Sequence, residues 1–178
     1  MRIASLALLL ASLASAALAD GLRTAATGDI DGDGVPDRAE VQLTGTDMAT
    51  VGVSIVLSRS KRTVRVAALT LAESADRPVI DAKGELHLSF LVASRRVKSR
   101  EDFFVGLEGP ALVVRRYRLY LLNTGQTDSK GNMLEESCDV DFIAGRALRN
   151  STPADPPGPP VAFEKWPDSA SRLAACRF

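Results

Sequence analysis

Histidine is nearly absent from this 178-residue chain: His87 is the only one. With no second histidine and no reactive-serine motif beside it, spacing supplies no nucleophile and base pair. An excess of charge is lacking too, since 22 basic residues balance 22 acidic ones. Net charge therefore points to neither nucleic acid nor an anionic membrane as a partner. Cysteine occurs twice, at Cys138 and Cys176. Two widely spaced cysteines without a nearby histidine do not make a zinc site. After the first 19 residues no apolar run is long enough to span a bilayer, and no motif recurs at a fixed period, which argues against an array of blades or repeats.

The chain begins with Met1 and Arg2, then an apolar run from Ile3 to Ala19 that ends in Ala17-Leu18-Ala19 before Asp20. A positive start, an apolar stretch and small residues at the −3 and −1 positions of a cut describe a secretory leader, residues 1–19. The expected location is the periplasm or the exterior, and no cysteine follows the run to take a lipid. Removal of the leader leaves about 160 residues, enough for one domain with a real core. In an exported chain an even cysteine count predicts a Cys138–Cys176 disulfide. Two free buried thiols are the alternative.

Most of the mature chain reads as strands. Residues 39–44, 51–57, 63–67, 85–91, 102–105, 111–114 and 117–121 alternate apolar with polar side chains and are rich in β-branched types. Turn chemistry separates them at Lys83-Gly84, Glu108-Gly109-Pro110 and Asn123-Thr124-Gly125. The stretch from Val66 to Ala75 carries Ala, Leu and Glu and is open between helix and strand. The expected fold is mainly β, an antiparallel sheet closing as a sandwich or propeller-like arrangement, over residues 20–150. Proline and glycine dominate 151–160, which predicts an irregular connector. A terminal segment, 161–178, is expected to be tied back by the disulfide.

The most specific chemistry lies in Gly28-Asp29-Ile30-Asp31-Gly32-Asp33-Gly34-Val35-Pro36-Asp37. Carboxylates at every second position, with glycines permitting tight backbone, can converge on one centre. Unneutralised, so many negative charges repel. Calcium, which takes six to eight hard oxygens, suits the set better than magnesium. The side chains of Asp29, Asp31, Asp33 and Asp37 and the carbonyl of Val35 are the expected ligands. Glu40 falls at the twelfth place of an EF-hand count, but Leu22 to Thr27 make no amphipathic entering helix and the chain after Val41 alternates like a strand.

The loop resembles the integrin-type FG-GAP and bacterial VCBS calcium loops, in which DxDGDGxxD precedes a strand. That resemblance implies the same five ligands, with Glu40 a ligand only on the EF-hand reading. The wider layout is similar to small exported proteobacterial proteins with one such loop, some of which resemble periplasmic lysozyme inhibitors and immunity proteins. No Ser-Gly-x-x-Tyr segment of the kind those inhibitors insert is present. The expected function is non-enzymatic: a calcium-binding envelope or secreted protein whose partner is another such protein or a surface component. The alternative is an inhibitor of a wall-degrading enzyme. The basic groups at Arg59–Arg65, Arg95–Arg100 and Arg115–Arg118, and the carboxylates Glu135, Glu136, Asp139 and Asp141, are secondary candidates.

Overall fold

The computed structural model describes residues 21–46, 48–93, 97–168 and 176; the leader expected at 1–19 lies outside them. The described chain is mainly β and antiparallel. The first sheet runs in sequence order: β1 (Arg23–Gly28), β2 (Asp37–Thr44), β3 (Ala49–Leu57) and β4 (Arg62–Ala72). The second contains β5 (Ser74–Ala75), β6 (Val79–Ile80), β7 (Leu86–Ala93), β8 (Val97–Glu108), β9 (Ala111–Thr127), β10 (Met133–Asp141), β11 (Arg146–Arg149) and β12 (Thr152–Ala154). Its order is β12-β11-β10-β9-β8-β7-β5, with β6 also on β7 and β13 (Val161–Ala162) on β9.

Alternation explains the layering. Ala39, Val41 and Leu43 on β2 and Val51, Val53 and Ile55 on β3 are buried, while the residues between them are not. They join Leu86, Leu88 and Phe90 of β7, Phe103 and Val105 of β8, and Tyr117 of β9 in one core. The arrangement is sandwich-like. Each such Leu or Phe contributes roughly 1.5–3 kcal/mol by leaving water.

The stretch left open between helix and strand is strand. Val51 pairs with Thr70 but Val53 pairs with Val66, so Ala67, Ala68 and Leu69 bulge opposite Gly52. The bulge carries the buried positions from Val66 to Leu69, a step of three that imitates helical spacing. A second bulge joins two expected strands: Phe104 pairs with Arg116 and Val105 with Val114, leaving Arg115 as the extra residue inside a single β9. Asn123-Thr124-Gly125 is not a turn either. It belongs to β9, and the reversal comes at Asp128–Asn132, where Asp128 Oδ1 accepts the N–H groups of Lys130 and Asn132.

The expected irregular connector is regular at its start, where β12 pairs with β11. Beyond it a 3₁₀ turn, Phe163–Asp168, drives Phe163 and Trp166 fully into the core. Trp166 lies 5.2 Å from Tyr117, 5.7 Å from Phe103 and 5.8 Å from Phe142, ring centre to ring centre. Its indole N–H has no hydrogen-bond partner among the described residues, so apolar packing outweighs a lost bond of about 1–3 kcal/mol. The Cys138–Cys176 disulfide is present, with Cα atoms 5.5 Å apart. The terminal segment is thus held by Trp166 as well as by the bond. No described helix is long and apolar enough to cross a membrane.

Candidate metal centre

Asp29 to Pro36 form the loop between β1 and β2, and Asp37 is the first residue of β2. Gly32 and Gly34 have φ of 73° and 82°, and a Cβ at either would meet nothing within 4 Å. Backbone conformation, not crowding, therefore calls for glycine there. The two bends turn successive N–H groups inward. Asp29 Oδ1 accepts from Gly32 at 2.7 Å and Asp33 at 3.1 Å, and Oδ2 accepts from Gly34 at 2.8 Å.

Asp37 is fully buried. Its Oδ2 accepts the Ile30 N–H at 2.8 Å, across the loop, and its Oδ1 accepts the Ser58 N–H at 2.7 Å, from the turn after β3. Ser58 Oγ in turn donates to the Pro36 carbonyl at 2.6 Å. A buried carboxylate with both oxygens bonded to main chain fixes where the loop must close. The second sheet supports it from the other side. The turn from Asp81 to Glu85, between β6 and β7, packs so closely that a Cβ on Gly84 would lie 2.6 Å from the Asp29 carbonyl oxygen.

Asp29, Asp31 and Asp37 each place a carboxylate oxygen within 4.8 Å of the other two. Twice a calcium–oxygen distance is about 5 Å, so three oxygens at this spacing can surround one ion. A carboxylate oxygen that accepts one N–H keeps a second lone pair for a metal. Electrostatics agree. Desolvation pushes the Asp31 carboxyl above its ordinary range, the charges of Asp37, Asp33 and Asp29 push the same way, and the Asp33 N–H only partly opposes them. A cation would remove that conflict.

The other expected ligands fall outside this trio. Asp33 Oδ1 accepts the Val35 N–H at 2.7 Å, and its Oδ2 lies 3.9 Å from Arg59 Nε. Val35 is exposed at the loop tip. Glu40 sits on β2 opposite Ser54, with its carboxylate 3.1 Å from Arg38 and 3.9 Å from Arg23. The twelfth place of the EF-hand count is therefore on extended chain and engaged by arginines.

His87 stacks on Phe104 at 4.5 Å and sets Nε2 3.1 Å from Asp102 Oδ1. Ser89 also bonds Asp102, so His87 and Ser89 share that carboxylate. The second and third basic groups are engaged in ion pairs, Arg100 with Asp76 and Asp102, Arg115 with Glu108, Arg116 with Glu85 and Arg118 with Asp139, while in the first Arg59 lies near Asp33 and Arg62 donates to the Pro110 carbonyl. Arg95 and Arg96 lie outside the described residues. Asp139 and Asp141 stand opposite Arg118 and Arg116 on β9, not opposite a second carboxylate. Sequence reasoning missed Ser58 and Gly84 as supports of the loop. Only the turn signal at Lys83-Gly84 pointed to the latter. No protein-family model, no curated protein and no solved structure matches the chain.

Proposed function

We propose that this is an exported, non-enzymatic calcium-binding protein of the envelope or exterior, in which the ion is structural and the β-domain binds another protein or a surface component. The observation that carries the reading is the trio Asp29, Asp31 and Asp37, set between the Ser58 turn of one sheet and the Gly84 turn of the other. When bound there, calcium supplies charge neutralisation and stiffness. Asp29 and Asp37 shape the backbone, and Asp31 brings the charge that most needs a counter-ion. The DxDGDGxxD resemblance supports calcium over other cations, and a leader-like start together with a disulfide supports an oxidising compartment.

Calorimetric titration of the mature chain, residues 20–178, tests this. One calcium per chain is expected, with magnesium weaker and with Asp31→Asn and Asp37→Asn abolishing the heat. Stronger binding of magnesium or zinc than of calcium would remove the reading.

A further inference from the structure

The outward face of the second sheet carries a depression of about 260 Å³ bordered by Asp102, Arg118, Tyr120, Asp139, Leu148 and Ser151. We propose that it binds one ring of a neutral glycan. This names a kind of surface component and rests on the functional reading above only for the exported location.

Four features point to that ligand. Tyr120 and Leu148 are exposed large side chains, 40% and 41% open, and offer apolar surface to the C–H face of a sugar. The Tyr120 hydroxyl bonds Glu135, which fixes the ring as a platform. Arg118 Nε donates to Asp139 Oδ2 at 2.9 Å while both side chains stay about half exposed. A planar pair of this kind presents adjacent donors and acceptors to adjacent hydroxyls. Charge then excludes acids as ligands: Asp102 and Asp139 face Arg118, and Arg100 lies 3.5 Å from Asp102, so the site has no positive excess. The volume is near the lower end of the roughly 300–1,000 Å³ usual for small-molecule sites, which suits a single ring better than a protein surface.

Ser151 adds a point of its own. The two-residue turn between β11 and β12 has Asn150 at φ 49° and Ser151 at φ 63°, a geometry in which glycine is the cheaper second residue. The residue there carries a hydroxyl side chain and stands on the rim of the depression.

The test is titration of the calcium-loaded mature protein with cellohexaose, mannohexaose, chitohexaose and, as the charged contrast, a galacturonic acid hexamer, followed by NMR shifts. At least one neutral hexasaccharide should bind with shifts centred on Tyr120 and Ser151, and the acidic one should not. Tyr120→Ala should weaken binding roughly tenfold. Ser151→Gly should weaken it about threefold while leaving the melting point unchanged or higher, so misfolding cannot explain the loss. The proposal is overturned by no binding of any neutral sugar, by preference for the acidic one, or by wild-type affinity in both variants. It is also overturned if Tyr120→Ala instead weakens capture of a protein partner. Melting the same samples with chelator separates the two claims: an unchanged midpoint removes the calcium reading and leaves glycan binding standing.

Discussion

Gly84 lies against Asp29: a methyl group at Gly84 would sit 2.6 Å from the Asp29 carbonyl oxygen and 2.9 Å from that of Ile30. The loop and the second sheet thus meet at a residue with no side chain. Gly84→Ala should therefore cost stability by both strain and steric push. Gly131 is the control. Its turn is built the same way, Asp128 capping Lys130 and Asn132 as Asp81 caps Lys83 and Glu85, and Gly131 has φ 84° against 75°, yet nothing lies within 4 Å of its Cβ position. Gly131→Ala should cost about 1–2 kcal/mol for conformation alone. Gly84→Ala should cost a further 1–3 kcal/mol or so for the clash and should weaken calcium binding. Equal costs in urea melts, with unchanged calcium affinity, would show that the contact does not matter.

Trp166 and the disulfide hold the terminal segment in different ways, and the two can be separated. The Cys138–Cys176 bond closes a separation of 38 residues, for which the chain-entropy estimate is about 4 kcal/mol, acting through the unfolded state. Trp166 packs on Tyr117, Phe103 and Phe142 in the native state. Replacing both cysteines by alanine should lower stability by roughly 2–4 kcal/mol and leave the fluorescence of this sole tryptophan that of a buried indole. Trp166→Ala should cost about 3–5 kcal/mol with the bond intact. A red-shifted native spectrum in the double alanine variant would mean that the bond, not the packing, places Trp166.

Asp102 gives a pH dependence with a definite sign. Burial raises its pKa, but hydrogen bonds from His87 and Ser89 and the charges of His87 and Arg100 more than offset that, so the carboxyl ends below its ordinary 3.8. A lowered folded pKa contributes stability above the unfolded value that is lost as pH falls through the folded one. Wild type should therefore lose more stability than Asp102→Asn between about pH 4 and pH 2. Urea midpoints across that range are the measurement, and parallel curves would contradict the assignment.

Where each strand faces a core, the fold could be read in advance. The alternation of Val41 to Leu43 and of Val51 to Leu57 made β2 and β3 plain. β10 was missed because Glu135, Ser137, Asp139 and Asp141 make it look like a loop. Their partners on β9, among them Tyr120, Arg118 and Arg116, explain the composition only once the register is known. Bulges at Ala67–Leu69 and Arg115 broke the period of two at the places where reading faltered. At the loop, spacing pointed to the acidic residues, but not that each Asp37 oxygen would also accept a main-chain N–H, from Ile30 and Ser58, or that Asp33 would turn toward Arg59. The Ser58 and Arg59 contacts depend on chain 21 and 26 residues away, which no local pattern contains.

The loop's unequal aspartates give a graded series. Asp31 belongs to the trio and carries the raised pKa, whereas Asp33 leans on Arg59. Asp31→Asn should cost calcium affinity at least tenfold and Asp33→Asn less. Asp37→Asn should also lower stability without calcium, by about 1–3 kcal/mol, because it weakens the buried main-chain bonds. Calorimetry on the three variants decides this, and equal losses at Asp31 and Asp33 would contradict the trio.

The central claim is that a calcium ion completes the Asp29, Asp31 and Asp37 cluster in the folded protein. Its most direct test is the melting midpoint of the mature chain in 1 mM calcium and in chelator. If affinity is that of extracellular modules, mass action adds about 0.4–1.4 kcal/mol, which is roughly 1–5 °C for a chain of this size. Asp31→Ala should abolish the shift and leave the chelated midpoint unchanged or slightly raised. An identical wild-type midpoint in calcium and in chelator would contradict the claim.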